Sequence, residues 1–234
     1  MTFDQNQYGT PAGISDRPAV LSAGFLTQSF AWMFAGLLLT AGVAFVVQGS
    51  EPLLRFAAGN ILLLLIGQLV LVFAIQLGIQ RIGATAALGL FFVYAASLGL
   101  TIGLIVTAYT ETSVASAFLS ASAMFGGAAL YGATTKRSLV GLGGFLSMAV
   151  FGLFVALIVN LFLGSGPISI VISLVGVVLF TVLTAFHVQR ISAGDLVRGY
   201  GSAEKAAVIG ALLLYLDFIN IFLFLLRLLG SNRD

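Results

Sequence analysis

Three polar side chains in the C-terminal half of the chain are set in otherwise apolar sequence. Asp217 and Asn220 lie within the apolar stretch 212–230, and His187 closes the apolar run 168–186. A carboxylate inside a membrane-spanning helix costs a few kcal/mol or more unless a partner, a proton or water relieves it. Because intramembrane acids usually mark an ion or proton path, Asp217 is the first candidate for a functional residue.

The spacing of these residues predicts which of them face one another. Asp217 and Asn220 are three residues apart, so they share one side of a helix, and we expect that side to face the bundle interior. A neutral or hydrogen-bonded carboxyl with only a packing role is the alternative. His187 is either a partner of Asp217 or an interfacial residue at a helix end.

Helix geometry makes the pairing of His187 with Asp217 conditional. If the last helix begins near Ala206, Asp217 lies ~16 Å deep, because an α-helix rises about 1.5 Å per residue. His187 lies only a few Å deep if the sixth helix ends at Arg190. The two side chains are therefore expected to meet only if the sixth helix continues to about Arg198.

The composition identifies an integral membrane protein. The chain has 234 residues, of which 60% are hydrophobic and only 8% are charged, far outside the usage of soluble proteins. Cysteine is absent and His187 is the single histidine, which excludes thiol catalysis and multi-histidine metal sites. The net charge of +2 comes without a basic patch interleaved with aromatic residues, so nucleic acid is not an expected partner.

The apolar segments predict an all-α bundle of seven transmembrane helices, because only helices satisfy the backbone in lipid without strand alternation. Residues 1–22 are polar and aperiodic and are expected to form a flexible cytoplasmic tail, followed by a transmembrane domain over residues 23–234. The predicted spans are residues 25–47, 53–78, 84–107, 113–134, 141–163, 168–190 and 206–229.

The basic residues predict the orientation, since loops rich in lysine and arginine stay cytoplasmic. Three basic residues fall on one side of the predicted spans: Arg55, Arg227 and Arg233. The other side holds Arg17, Arg81, Lys136, Arg137, Arg190, Arg198 and Lys205. The N-terminus is therefore predicted to be cytoplasmic. Arg81, in the turn 79–83, is also a candidate counter-charge for Asp217, with a role in topology alone as the alternative.

Two enzyme classes fail on geometry. Ser165 and His187 lie at opposite ends of the sixth span, about 33 Å apart along a helix, which is too far for proton transfer. An intramembrane aspartyl protease needs two carboxylates within reach, and Asp217 is the only acid inside a predicted span. We therefore expect that the protein is not an enzyme.

The sequence around these candidates resembles a known family. The stretch YLDFINIFLFLLRLLG, residues 215–230, looks like the C-terminal signature of the bacterial branch of the Bax inhibitor, or transmembrane Bax inhibitor motif, family. The resemblance extends from about Gly36 to Gly230. Further blocks similar to the family's central and sixth-helix sequences are YGATTKR (131–137), GFLSM (144–148), Asn160 and LTAFHVQ (183–189).

The resemblance implies a seven-helix fold with a central last helix and, for studied members, a pH-sensitive calcium leak. It implies a switch made of two aspartates, one on each of the last two helices, that share protons with help from an arginine at the second-to-third turn. Asp217 matches the last-helix aspartate, and Arg81 is similar in place to the arginine. This chain departs at the sixth helix, where His187 stands at the aspartate position, and Ser138 stands where an acid usually follows Thr-Lys-Arg.

That departure changes the expected chemistry. Two close carboxylates cannot easily both ionise, whereas a histidine and an aspartate each favour the charged form of the other. The cationic partner also removes half of the oxygen ligands that a calcium ion would take. We therefore predict only a weak calcium interaction at Asp217, no other cofactor, and a pH response displaced from that of members with two aspartates.

Two functions of different classes remain open. The first is a multi-pass protein of the bacterial inner membrane that leaks cations, calcium or protons, and is gated by protonation around Asp217 and His187, with Arg81 and Asn220 beside the path. The second is a non-conducting membrane module that binds partners, such as a membrane protease or its regulators, through the N-terminal tail. Removal of the tail distinguishes them, because only partner binding requires it.

Overall fold

The computed structural model describes residues 17–231, with side chains from Gly24 onward. In chain order its helices are α1 (Arg17–Gln48), α2 (Glu51–Gly59), α3 (Ile61–Gly78), α4 (Ala84–Val106), α5 (Glu111–Thr134), α6 (Gly143–Leu163), α7 (Gly166–Ser192), α8 (Asp195–Tyr200) and α9 (Ala203–Leu229). Residues 17–22, which the sequence assigns to the tail, are helical, because α1 begins at Arg17. The remainder of the predicted tail, residues 1–16, lies outside the described residues.

Seven segments of the described chain are long and apolar enough to cross a membrane, which confirms the predicted all-α membrane bundle. They are Gly24–Gln48, Ile61–Gly78, Ala84–Val106, Glu111–Thr134, Val140–Leu163, Gly166–Ser192 and Ala203–Leu229. The predicted second span, residues 53–78, is divided into α2 and α3. The division falls at Asn60, whose backbone (φ −118°, ψ 18°) leaves the helical region and whose side-chain amide donates to the Phe56 carbonyl at 2.9 Å.

The last helix, α9, is the most deeply buried span, since 78% of its most apolar window is buried, against 11% for α3. It packs against α1, α4, α5, α7 and the short helix α8. Helices α3 and α6 lie at the periphery, α3 against α4 and α6 against α7. Their outward side chains, such as Leu77 and Phe162, are about four-fifths exposed, so they form the surface that faces lipid.

Small residues bring the buried helices close together. A Cβ added at Gly99 or Gly103 of α4 would lie 2.6 Å from Val43 Cβ and 2.8 Å from Val47 Cβ of α1. The Gly99-x-x-x-Gly103 spacing therefore sets the α1–α4 contact, as small residues do between membrane helices. At Gly132 of α5 an added Cβ would collide with the Ala185 carbonyl of α7. The close contact between α5 and α7 is therefore at Ala185, two residues before His187.

Candidate functional site: a buried aspartate and histidine pair

Asp217 and His187 are in direct contact inside the bundle. His187 Nδ1 lies 2.7 Å from Asp217 Oδ2, and the side chains are 12% and 2% exposed, respectively. Asp217 comes from the middle of α9 and His187 from the last part of α7. The two residues are therefore in contact. From the sequence, this contact was expected only if the sixth helix continued to about Arg198.

That condition was wrong: α7 ends at Ser192 and does not reach Arg198. An added Cβ at Gly210 would lie 3.2 Å from Ile191 Cδ1, so the end of α7 is level with Gly210 and not with the start of α9. Residues 203–209 therefore extend about 10 Å beyond α7. The short helix α8 packs against α9, and the offset between the end of α7 and the start of α9 brings His187 to the depth of Asp217.

The pair is electrically neutral in two arrangements. Either the imidazolium donates from Nδ1 to the carboxylate, or a protonated carboxyl donates to a neutral ring, and the total proton count is the same. Loss of one proton leaves an unpaired carboxylate, and gain of one leaves an unpaired imidazolium. Because an unpaired charge is costly in a buried site, both changes destabilise the pair as it stands.

Other titratable groups lie on the helices packed around the pair, but none forms an ion pair with it among residues 17–231. On α7, the guanidinium carbon of Arg190 lies 5.4 Å from the ring centroid of Phe186. The rings of Tyr94 on α4 and Tyr215 on α9 contact each other with centroids 5.8 Å apart. His187 is thus the direct electrostatic partner of Asp217.

The two remaining predicted site residues do not join the pair. The Asn220 side-chain amide donates to the Leu216 carbonyl of its own helix at 2.8 Å, and the residue lines a cavity that Asp217 and His187 do not line. Arg81 is exposed in the turn 79–83, and no hydrogen bond or ion pair links its side chain to Asp217 or His187. Its position agrees with the alternative role in topology.

A second buried polar contact was not predicted. Thr40 of α1 donates to the Ala95 carbonyl of α4 at 2.9 Å, so the Tyr215 hydroxyl, 2.6 Å from Thr40 Oγ1, is the donor in the second bond. The Tyr215 ring is fully buried and meets the edge of Phe91 with centroids 5.4 Å apart. In the sequence, each of these two positions shows only a hydroxyl in the middle of a predicted span. That the two hydroxyls lie close together is evident only from the fold.

Two cavities approach the bundle from its sides. One, of about 370 Å³, lies between α1, α4, α5 and α9 and extends from Gln48 and Glu111 past Thr40 to Leu37. The other, of about 1200 Å³, lies between α3 and α6. Neither is lined by Asp217 or His187. The pair is therefore sealed from both cavities in this conformation.

The pair supplies few of the oxygen ligands that a calcium ion takes. Calcium takes about six to eight oxygen ligands, whereas one oxygen of the single carboxylate here is occupied by an imidazole. No group of three or more histidine, cysteine, aspartate or glutamate side chains occurs in the described part of the chain. Calcium at Asp217 stays a prediction, in which the ion is cargo that passes through the site.

The fold and the pair define a class: a multi-pass α-helical membrane protein with an acid and a histidine joined inside the bundle. The chain belongs to the Bax inhibitor family, since the family model described as "Inhibitor of apoptosis-promoting Bax1" matches residues 22–234. It is 40% identical to the inner membrane protein YbhL of Escherichia coli K12 over 215 residues, which cover 89% of this chain and 92% of YbhL.

Other relatives have no described activity. An uncharacterized protein of Deinococcus radiodurans is 44% identical over 211 residues, covering 90% of this chain and 91% of the relative. The uncharacterized protein YrjE of Lactococcus lactis is 37% identical over 236 residues, covering 99% and 97%. These two relatives support the family, and the activity must be argued from the site.

Proposed function

We propose that this protein is a pH-sensitive cation leak, for calcium or protons, in the bacterial inner membrane, with its N-terminus cytoplasmic. The observation that carries the proposal is the direct contact of Asp217 with His187 at 2.7 Å inside the bundle. A carboxylate at that depth is costly, and acids inside membrane spans usually mark an ion or proton path. The inner-membrane location is supported by the similarity to YbhL, an inner membrane protein of E. coli, and the orientation by the distribution of basic residues.

The described conformation corresponds to a closed state. The cavity that begins at Gln48 and Glu111 extends along α1 past Thr40 to Leu37, and the Thr40–Tyr215 hydrogen bond joins α1 to α9 in its wall. Beyond this hydrogen bond, the carboxylate is neutralised by His187. A cation that entered the cavity would therefore meet both a hydrogen-bonded barrier and a site without net charge.

Loss of the imidazolium proton is the proposed opening event. It leaves a carboxylate without a counter-charge, which attracts cations and favours separation of α7 from α9. Gain of a proton has the opposite effect on conduction, because the unpaired imidazolium repels cations. The leak is therefore expected to rise with pH and to be suppressed by acid.

Flux through proteoliposomes tests the proposal. Purified protein is reconstituted, and calcium entry and proton entry are followed with enclosed dyes over a series from acidic to alkaline pH. Asp217→Asn is expected to abolish the pH-dependent component, and His187→Asp to displace the pH profile because two carboxylates then share the site. Glu51→Gln, which removes an exposed acid paired with Arg55 on α2, is the control. Identical profiles for wild type and both site variants would refute the proposal.

A further inference from the structure

The cleft between α3 and α6 has features of a ligand site that the ion path does not use. It measures about 1200 Å³, above the range of about 300–1000 Å³ that holds drug-sized molecules. Its walls are mostly apolar side chains of the two peripheral helices, among them Leu62, Leu69, Phe154 and Leu161. At one end, however, its lining is polar.

The polar end is a cluster contributed by three helices. Asn160 of α6 donates from Nδ2 to Ser169 Oγ of α7 at 2.7 Å. Arg227 of α9 donates to the same oxygen at 3.0 Å. All three residues line the cleft, together with Gly164 and Gly166 of the α6–α7 connection. The cluster therefore lies at the membrane surface end of the spans.

Two groups in this cluster lack the partner that their chemistry requires. Asn160 is 6% exposed, and its Oδ1 is a buried acceptor without a hydrogen bond in the described structure. Arg227 is exposed and forms no ion pair with any carboxylate among residues 17–231. A buried acceptor needs a donor, and an arginine at the end of a membrane span favours an anion.

We propose that this cleft binds one phospholipid molecule. The phosphate diester pairs with the Arg227 guanidinium, and an acyl chain lies between α3 and α6. A donor on the headgroup bonds to Asn160 Oδ1 after the buried amide turns toward the cleft that the residue lines. The polarity of the cleft matches that of a lipid, with the cation and amide at the surface end and mostly apolar walls along its length, interrupted by Gln68, Tyr94 and Asn220. The headgroup donor is either an ammonium, as in phosphatidylethanolamine, or a hydroxyl, as in phosphatidylglycerol.

Native mass spectrometry of the full chain in detergent, with one lipid added at a time, measures this binding. Phosphatidylethanolamine and phosphatidylglycerol with identical acyl chains supply the two donors. Phosphatidylcholine keeps the phosphate but has no donor, and diacylglycerol has no phosphate. We expect one bound lipid per chain for at least one of the first two, several-fold weaker retention of phosphatidylcholine, and the weakest retention of diacylglycerol. The preferred headgroup identifies the donor.

Variants locate the site. Arg227→Gln is expected to reduce retention of the preferred lipid on the order of tenfold, because a charge-assisted contact with the phosphate is lost. Arg55→Gln, which removes an exposed arginine of α2, is the control and leaves retention unchanged. Asn160→Leu is expected to remove the preference over phosphatidylcholine. Where that variant does not fold, the headgroup comparison on the wild type still tests the Asn160 contact.

The proposal is overturned by either of two results. Equal retention of all four lipids by the wild type would show that the cleft recognises neither the phosphate nor the headgroup donor. Equal retention by the wild type and Arg227→Gln would show that bound lipid lies elsewhere on the apolar surface. Neither result bears on the cation leak, since the cleft is not lined by Asp217 or His187.

Discussion

Replacing Asp217 alone and replacing His187 alone are predicted to lower the free energy of unfolding by different amounts. Replacing both together is predicted to lower it by much less than the sum of the two. In His187→Phe the buried carboxylate loses the ionic partner that it has among residues 17–231. It either remains charged or takes up a proton, and holding an ordinary aspartic acid protonated at pH 7 costs about 4 kcal/mol. That value bounds the expected loss of unfolding free energy and agrees with the range of about 3–5 kcal/mol for a broken buried pair.

The reverse substitution is expected to cost less. In Asp217→Leu no buried carboxylate is left without a partner, so the loss is that of one buried hydrogen bond, about 1–3 kcal/mol. The double variant, Asp217→Leu with His187→Phe, replaces the pair by apolar groups and is expected to lie within about 2 kcal/mol of the wild type. The implied coupling energy is on the order of 3 kcal/mol.

Unfolding in mixed micelles with increasing anionic detergent, followed by circular dichroism, gives the four free energies of this cycle. The cost of His187→Phe is expected to shrink as pH falls, because protonation of the lone carboxyl becomes cheaper by about 1.4 kcal/mol per pH unit. A coupling energy below about 0.5 kcal/mol, the level of independent sites, would show that Asp217 and His187 do not act as a pair.

Three further predictions concern the packing and the tail. Tyr215→Phe leaves the Thr40 hydroxyl without its donor and is expected to cost about 1 kcal/mol, seen as a lower Tm; an unchanged Tm would contradict the contact. Gly132→Ala is expected to destabilise by about 1–3 kcal/mol, whereas Gly127→Ala on the same helix, where an added Cβ meets nothing within 4 Å, is not; equal Tm values would contradict the close α5–α7 approach. Deletion of residues 2–16 is expected to leave ion flux unchanged. Loss of flux on deletion would favour the partner-binding alternative. So would a full chain that shows no flux but captures partners that the deletion variant does not capture.

The amino-acid sequence alone determined the class of the protein and the depth of its acid. Long apolar runs separated by short polar turns specify membrane helices, because lipid leaves the backbone no other way to satisfy its hydrogen bonds. The same logic identified Asp217 as a buried acid, since its neighbours on both sides are apolar. These inferences depend only on local sequence, which is why they could be made without coordinates.

The tertiary structure alone decided which polar groups meet. His187 reaches Asp217 because the end of α7, at Ser192, is level with Gly210 of α9 and not with the start of α9. The short helix α8 packs against α9. Tyr215 and Thr40 are 175 residues apart. Such contacts depend on helix ends, helix tilts and close approaches that are set by side-chain packing across the whole bundle. The hydropathy of the chain therefore does not predict them.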